Sequence, residues 1–313
     1  NEQYWTLKFS TTEGIEEIQA KVLVNATGPW VEQLNQLLDL PSLYHLAMVK
    51  GSHLVVQRLY EGNQAYLLQN IDNRIVFVIP YYGHTLIGTT DVNYEGLLDE
   101  VSISPAEINY LLQLVKGYFK QTLTRNDIIY SWSGVRPLLS KAGQAAQALS
   151  RDYIYHFNAV PAPVLCIYGG KITTYRQLSK EAVDTLKTVF PNLPPSTTVK
   201  TPLPGATWHD LSFAEYSQMI AERYHWLNKP FLARLLHTYG TRSEYILNDC
   251  HQYADFGMLF GGNLYEKEVD YLVAQEWAQS ADDILWRRTK TGFMLNPVEK
   301  SHLEEFLQKK III

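Results

Sequence analysis

The chain has 313 residues, 46% of them hydrophobic and 19% charged, with a formal net charge of −5. That length exceeds one small core and suits a large domain followed by a smaller one, and the acidic balance leaves no argument for a nucleic-acid surface or a polybasic membrane anchor. The two cysteines, Cys166 and Cys250, lack the spacing of a metal site or a redox pair, and no apolar run approaches the ~20 residues that span a bilayer, so the expected setting is cytoplasmic with any membrane contact peripheral.

The chain opens at Asn1 without an initiator Met or a signal peptide, and Tyr4–Phe9 reads as a strand with nothing before it to complete. It is therefore expected to be a piece of a longer protein. Strands are expected over Thr6–Ser10 and Glu17–Asn25, the second running through Thr27 and Gly28 into a helix from Trp30 to about Leu38. Gly28 lets a backbone approach a ligand and the helix start presents free N–H groups, with an ordinary strand–turn–helix corner as the competing reading. Lys50-Gly51-Ser52-His53 leads a strand over His53–Gln57. His53 suits a general base, because an unperturbed imidazole titrates near working pH; a structural histidine is the alternative. Strands follow at Arg74–Pro80 and Thr85–Gly88, ending in the polar cluster Thr89-Thr90-Asp91, which either faces a site or caps a turn.

A helix over Pro105–Phe119 is capped by Ser104, and a strand covers Asp127–Ser131. Beyond it Arg136 stands in an apolar, aromatic stretch, where a guanidinium demands either a substrate phosphate or an internal ion pair. Arg151 precedes a strand over Tyr153–Phe157, with Asp152 beside it as a balancing charge. The strand Val164–Tyr168 then meets Gly169-Gly170-Lys171-Ile172-Thr173 before a helix over Thr174–Val189. Two glycines, a cation and a helix start suit an anion such as the pyrimidine edge of a reduced flavin, against the alternative of a tight structural turn.

Five prolines between Pro191 and Pro204 mark a boundary. Helices are expected beyond it over Phe213–Tyr224, Pro230–Tyr239, Ser243–Tyr253, Tyr265–Ala278, Ala281–Lys290 and Pro297–Lys309. The fold expected is an α+β body with more than one sheet over residues 1–195, followed by an all-α domain over 196–313. The chain contains no G-x-G-x-x-G, Walker loop, H-E-x-x-H or G-x-S-x-G, so nucleotide binding is not complete within it.

Taken in order, N-A-T-G-P-W at Asn25–Trp30, K-G-S-H at Lys50–His53, A-Y-L-L-Q-N at Ala65–Asn70 and R-I-V-F-V-I-P at Arg74–Pro80 form one part of a longer pattern. It continues with I-G-T-T-D at Ile87–Asp91, S-G-V-R-P-L at Ser133–Leu138, R-D-Y at Arg151–Tyr153 and G-G-K-I-T-T-Y-R at Gly169–Arg176. T-Y-G at Thr238–Gly240 and A-D-D-I-L-W-R-R-T-K at Ala281–Lys290 complete it. With these motifs the chain resembles the FAD-dependent glycerol-3-phosphate dehydrogenases, the bacterial aerobic type above all.

The resemblance implies oxidation of sn-glycerol 3-phosphate to dihydroxyacetone phosphate, with FAD taking the hydride and a quinone taking the electrons. It implies a peripheral position on the inner face of the cytoplasmic membrane and a homodimer. It places Thr27 and Gly28 near the nucleotide side of FAD, and Gly170, Lys171, Ile172 and Thr173 along its ring. It gives His53 and Arg136 catalytic roles, with Arg136, Arg151 and Lys171 at the substrate. The family's amino-terminal glycine loop is absent, so these residues alone are expected to bind FAD poorly and turn over little. The stretch Gly143–Leu149 is shorter and less acidic than the family's usual loop. A related flavin oxidase using oxygen and a non-catalytic module that keeps the fold are the competing functions.

Overall fold

The computed structural model describes residues 4–140, 149–208 and 210–311. It contains two compact units, Asn1–Ser196 and Thr197–Ile313. Among the described residues the first holds three sheets. β1 (Trp5–Thr11) and β2 (Gly14–Ala20) form a hairpin. β3 (Leu23–Asn25) leaves that hairpin, so the single strand expected over Glu17–Asn25 is in fact two: β2 finishes on β1, and β3 joins another sheet. α1 spans Val31–Leu37.

The largest sheet is built on β4 (Leu46–Val56), with β5 (Tyr66–Gln69), β6 (Ile75–Tyr81), β7 (His84–Gly88) and the short β8 (Val92–Asn93). β9 (Ile128–Leu139) pairs antiparallel with the whole of β4. β9 thus runs eight residues past the end expected at Ser131, through Gly134 and Pro137, and β4 begins well before His53. Proline is tolerated there because β9 ladders on β4 alone and the missing N–H falls on an edge.

α2 (Pro105–Tyr118) covers one face of this sheet, its Leu111, Leu112, Leu114 and Val115 packing on Leu54, Val56, Val76, Val78 and Ile87. At the start of α2, Ser104 Oγ accepts the Glu107 N–H and the Glu107 carboxylate accepts the Ser104 N–H, closing a capping box. Side chains alternate along β4, so with Leu54 and Val56 directed at α2, Gly51 and His53 lie on the opposite face.

The third sheet has the order β10 (Tyr153–Asn158), β11 (Val164–Gly169), β3, with β11 and β3 parallel. α3 follows over Tyr175–Thr185, and a short 3₁₀ turn, Leu186–Thr188, replaces the end of the longer helix expected there.

The second unit is helical: α4 (Phe213–Arg223), α5 (Lys229–Tyr239), α6 (Glu244–Leu247), α7 (Glu266–Gln275) and α8 (Pro297–Ile311). A small hairpin, β12 (Leu259–Gly261) with β13 (Leu264–Tyr265), precedes α7. The helix expected over Ser243–Tyr253 stops at Leu247, because Asp249 turns left-handed with φ 61° and the Asp255 carboxylate takes the His251 and Gln252 N–H groups. Asp283–Arg288 is a π-helical turn and not an α-helix, ended by Lys290 at φ 61°. Tyr216, Phe231, Phe256 and Phe260 fill the core of this unit. Among the described residues no helix is long and apolar enough to cross a membrane.

Candidate active site

The face of the β4 sheet opposite α2 gathers the first candidates. His53 is paired with Trp132 on β9 and with Gly88 on β7. Its imidazole stacks on the Trp132 indole with centroids 5.1 Å apart, and lies so close over Gly88 that a Cβ there would come within 2.2 Å of the ring. Two residues along, Gly51 faces Gly134 in register. A Cβ on Gly134 would meet nothing within 4 Å among the described residues, so this face is open over Gly134, between Trp132 and Arg136 on β9, whereas the space over Gly51 is taken by a side chain.

Arg136 lies across Gly51, where a Cβ would come within 2.5 Å of its Nη1. Of the two partners left open by the sequence, the internal one is present. Nη1 donates to Asp91 Oδ1 at 2.8 Å and Nη2 to Thr89 Oγ1 at 3.3 Å. Thr89 and Asp91 therefore face this site, and they hold the guanidinium with its remaining donors uncommitted among the described residues.

Burial, with a smaller contribution from the Arg136 charge, lowers the His53 pKa from 6.5 to about 4. The imidazole is neutral at pH 7, and its Nδ1 is buried with no partner among the described residues. An NMR titration of His53 should accordingly show a midpoint near 4, and Arg136→Gln should move it upward. A midpoint at 6.5 in the unaltered protein would contradict this burial.

On the α2 face lies a buried polar network that sequence reasoning missed. Glu107, 4% exposed, takes Ser52 Oγ and Thr90 Oγ1 at 2.7 Å each and Lys50 Nζ at 2.9 Å. Ser52 Oγ also meets Ser133 Oγ at 2.8 Å. The pattern S-x-x-E at Ser104–Glu107 was the available signal for this residue. Through Thr90, between Thr89 and Asp91, the network fixes the segment that orients Arg136.

The remaining candidates cluster at the carboxyl ends of β3 and β11, which run parallel with Cys166 opposite Asn25. After β3, Gly28 turns with φ 59°. Thr27 Oγ1 donates to Asn25 Oδ1 at 2.7 Å, while Asn25 Nδ2 donates to the Val31 carbonyl and to Asn35 Oδ1. Asn35 in turn donates to the Tyr168 hydroxyl on β11 at 2.7 Å. Asn25 and Asn35, both fully buried, thus tie the two turns together, and neither was singled out from the sequence.

After β11, Gly169 and Gly170 turn with φ 74° and 99°. A Cβ on Gly169 would come within 2.7 Å of the Asp152 carbonyl, and Gly170 N–H donates to that same carbonyl at 3.1 Å. Arg151 is thereby brought beside the second glycine turn. Asp152 does not balance it: its carboxylate accepts from Ser150 Oγ at 2.9 Å, and Arg151 has no ion pair among the described residues. Lys171 and Thr173 are exposed, and Ile172 is 84% exposed, an uncovered apolar side chain. The same Gly169 Cβ would lie 3.5 Å from Leu139 and 3.7 Å from the Pro137 carbonyl, so this turn abuts the end of β9 next to Arg136. Residues 143–148 of the Gly143–Leu149 stretch lie outside the described residues.

Residues 1–176 match the family model described as FAD dependent oxidoreductase, and residues 196–308 that of the C-terminal domain of alpha-glycerophosphate oxidase. The chain is 44% identical to a glycerol-3-phosphate dehydrogenase of Pseudomonas aeruginosa over 98% of its own length and 60% of that protein. It is 43% identical to the aerobic glycerol-3-phosphate dehydrogenase of Escherichia coli over 92% of this chain and 58% of that one. With the D-erythritol 1-phosphate dehydrogenase of Brucella abortus it shares 36% identity over 97% and 61% of the two lengths. The chain thus spans about three fifths of the length of these relatives. A crystal structure of the glycerol-3-phosphate dehydrogenase from Bacillus halodurans complexed with FAD superposes with a TM-score of 0.79 at 25% identity, covering 96% of this chain and 60% of that one.

The residues present fit a flat, anionic cofactor. Both glycine turns open at the carboxyl edge of parallel strands, where α/β sheets hold such ligands, and among the described residues no side chain lies within 4 Å of a Cβ placed on Gly28. An α+β body carrying these turns, followed by a helical unit, matches over most of its length to a model of that kind, and the chain belongs to the FAD dependent oxidoreductase family.

Proposed function

We propose that this chain supplies the substrate site and part of the flavin site of a dehydrogenase that oxidises sn-glycerol 3-phosphate to dihydroxyacetone phosphate. The observation that carries the reading is a buried imidazole and a guanidinium on one sheet face, with that face open over Gly134 between Trp132 and Arg136. FAD, when bound, supplies the hydride acceptor. Thr27 and Gly28 at one turn, and Gly170, Lys171, Ile172 and Thr173 at the other, are the residues that would hold it.

Arg136 receives substrate oxygens on donors not engaged by Asp91 and Thr89, and Arg151 and Lys171, both without ion pairs among the described residues, add charge for the phosphate. His53 takes the proton of the hydroxyl as the carbon loses hydride. Its low proton affinity in the free protein rises once an anionic phosphate sits against Arg136, because the cation that disfavours imidazolium is then offset. The proposed electron acceptor is a quinone, at the inner face of the cytoplasmic membrane, and the proposed assembly is a homodimer. These three rest on the resemblance alone. Catalysis further requires the amino-terminal nucleotide-binding segment of the family.

The test is the visible spectrum of the protein carrying this chain behind such a segment, before and after anaerobic glycerol 3-phosphate. Bleaching of a flavin band is expected. A colourless protein, or a flavin indifferent to this substrate, would sink the assignment. The 36% identity to a D-erythritol 1-phosphate dehydrogenase makes that longer polyol phosphate the second substrate to try, and faster bleaching by it would transfer the assignment.

A further inference from the structure

We propose that the helical unit binds a small apolar monoanion, a carboxylate with a hydrocarbon body, in the groove between α4 and α5. The two helices lie antiparallel, with Phe213 at the start of α4 against His237 at the end of α5, ring centroids 5.0 Å apart. Between them is a groove of about 370 Å³. That volume falls within the range of small-molecule sites, roughly 300–1,000 Å³.

Its walls are apolar: Phe213 and Ala221 on one helix, Leu232, Ala233 and Leu236 on the other. Helical spacing produces this, since 213, 217 and 221 on α4 and 229, 232, 233 and 236 on α5 each form one stripe. Inside the groove Ser217 Oγ is buried and has no hydrogen-bond partner among the described residues. The charge of the lining selects the ligand further. Among the described residues no carboxylate lines the groove, whereas Lys229 stands at the end where α5 begins, and His237 marks the other end. Lys229 makes no ion pair among the described residues, and it sits on the first turn of α5, whose dipole also favours an anion. A hydrocarbon body in the apolar stripe with its carboxylate at Lys229 matches the apolar walls and the charge of the lining.

The experiment is calorimetric titration of the full chain with decanoate, using decyltrimethylammonium as the oppositely charged control. Decanoate should bind with one-to-one stoichiometry and the ammonium analogue at least roughly tenfold more weakly. Lys229→Glu, at an exposed position, should weaken decanoate by a similar factor without changing the thermal melt. Ala233→Phe, which fills the groove from a partly solvent-facing position, should abolish binding. Equal binding of both amphiphiles, no saturable binding, or unchanged affinity in Lys229→Glu and Ala233→Phe would each overturn the proposal.

Discussion

Arg136→Ala should lower kcat/KM for glycerol 3-phosphate by roughly a hundredfold to a thousandfold, the ~3 to 4 kcal/mol expected when one member of a close charge pair is removed from a ligand. Its effect on folding should be far smaller. The pair with Asp91 is partly solvent-exposed, 32% and 17% at the two side chains, and such pairs contribute about 1 kcal/mol or less. Steady-state kinetics and a thermal melt on the same preparation separate the two effects. A variant that keeps its kcat/KM would remove Arg136 from the proposed site.

Gly51→Ala tests the same geometry without touching the charge. A Cβ there would lie 2.5 Å from both Arg136 Nη1 and Thr89 Oγ1, so the guanidinium must swing away from Asp91 while the backbone, which has no positive φ at this glycine, stays relaxed. The activity of Gly51→Ala should fall between those of the unaltered protein and Arg136→Ala. If Arg136 works only as a counter-ion to Asp91, both variants spare the chemistry.

The parts of this site legible in the sequence are those carried by local chemistry. The glycines at positions 28, 169 and 170 stand where positive φ is required, and Ser104 caps α2. The parts that were not legible depend on pairing between distant segments. The strands expected over His53–Gln57 and Asp127–Ser131 left out the first half of β4 and the second half of β9, where Gly51, Gly134 and Pro137 lie, although Gly134 is what leaves this face open beside Arg136. Asp91 and Arg136 are 45 residues apart, and only the sheet register shows that an internal carboxylate, and not a ligand alone, holds the guanidinium. His53 and Trp132 meet for the same reason. In the helical unit, the apolar spacing over Ser243–Tyr253 is helical in period, yet the left-handed Asp249 ends the helix early.

Glu107→Gln should destabilise the larger unit by about 3 to 5 kcal/mol, the cost of stripping one partner from a buried ion pair, and lower its Tm by about 10 °C. Lys50, 7% exposed, would keep its charge with the Ser102 carbonyl, the Tyr94 ring and a neutral amide for company. Adding Lys50→Met should recover part of the loss, since it removes the stranded cation, and the double-mutant cycle measures that coupling. The pH dependence follows from the carboxylate. Burial alone would raise its pKa, but hydrogen bonds from Lys50, the Ser104 N–H, Thr90 and Ser52 outweigh burial and bring it from 4.5 down to about 2. The folded state therefore holds this proton less tightly than the unfolded chain. Its contribution is fully present above pH 4.5 and is lost as pH falls from 4.5 toward 2, and Glu107→Gln should flatten stability across that window. His53, lowered from 6.5 to about 4, adds a separate loss between those values, and this one should persist in Glu107→Gln and disappear in His53→Asn. Chemical denaturation at a series of pH values resolves the two windows. An unaltered slope between pH 4.5 and 2 in Glu107→Gln would show that the carboxylate carries no such charge in the fold.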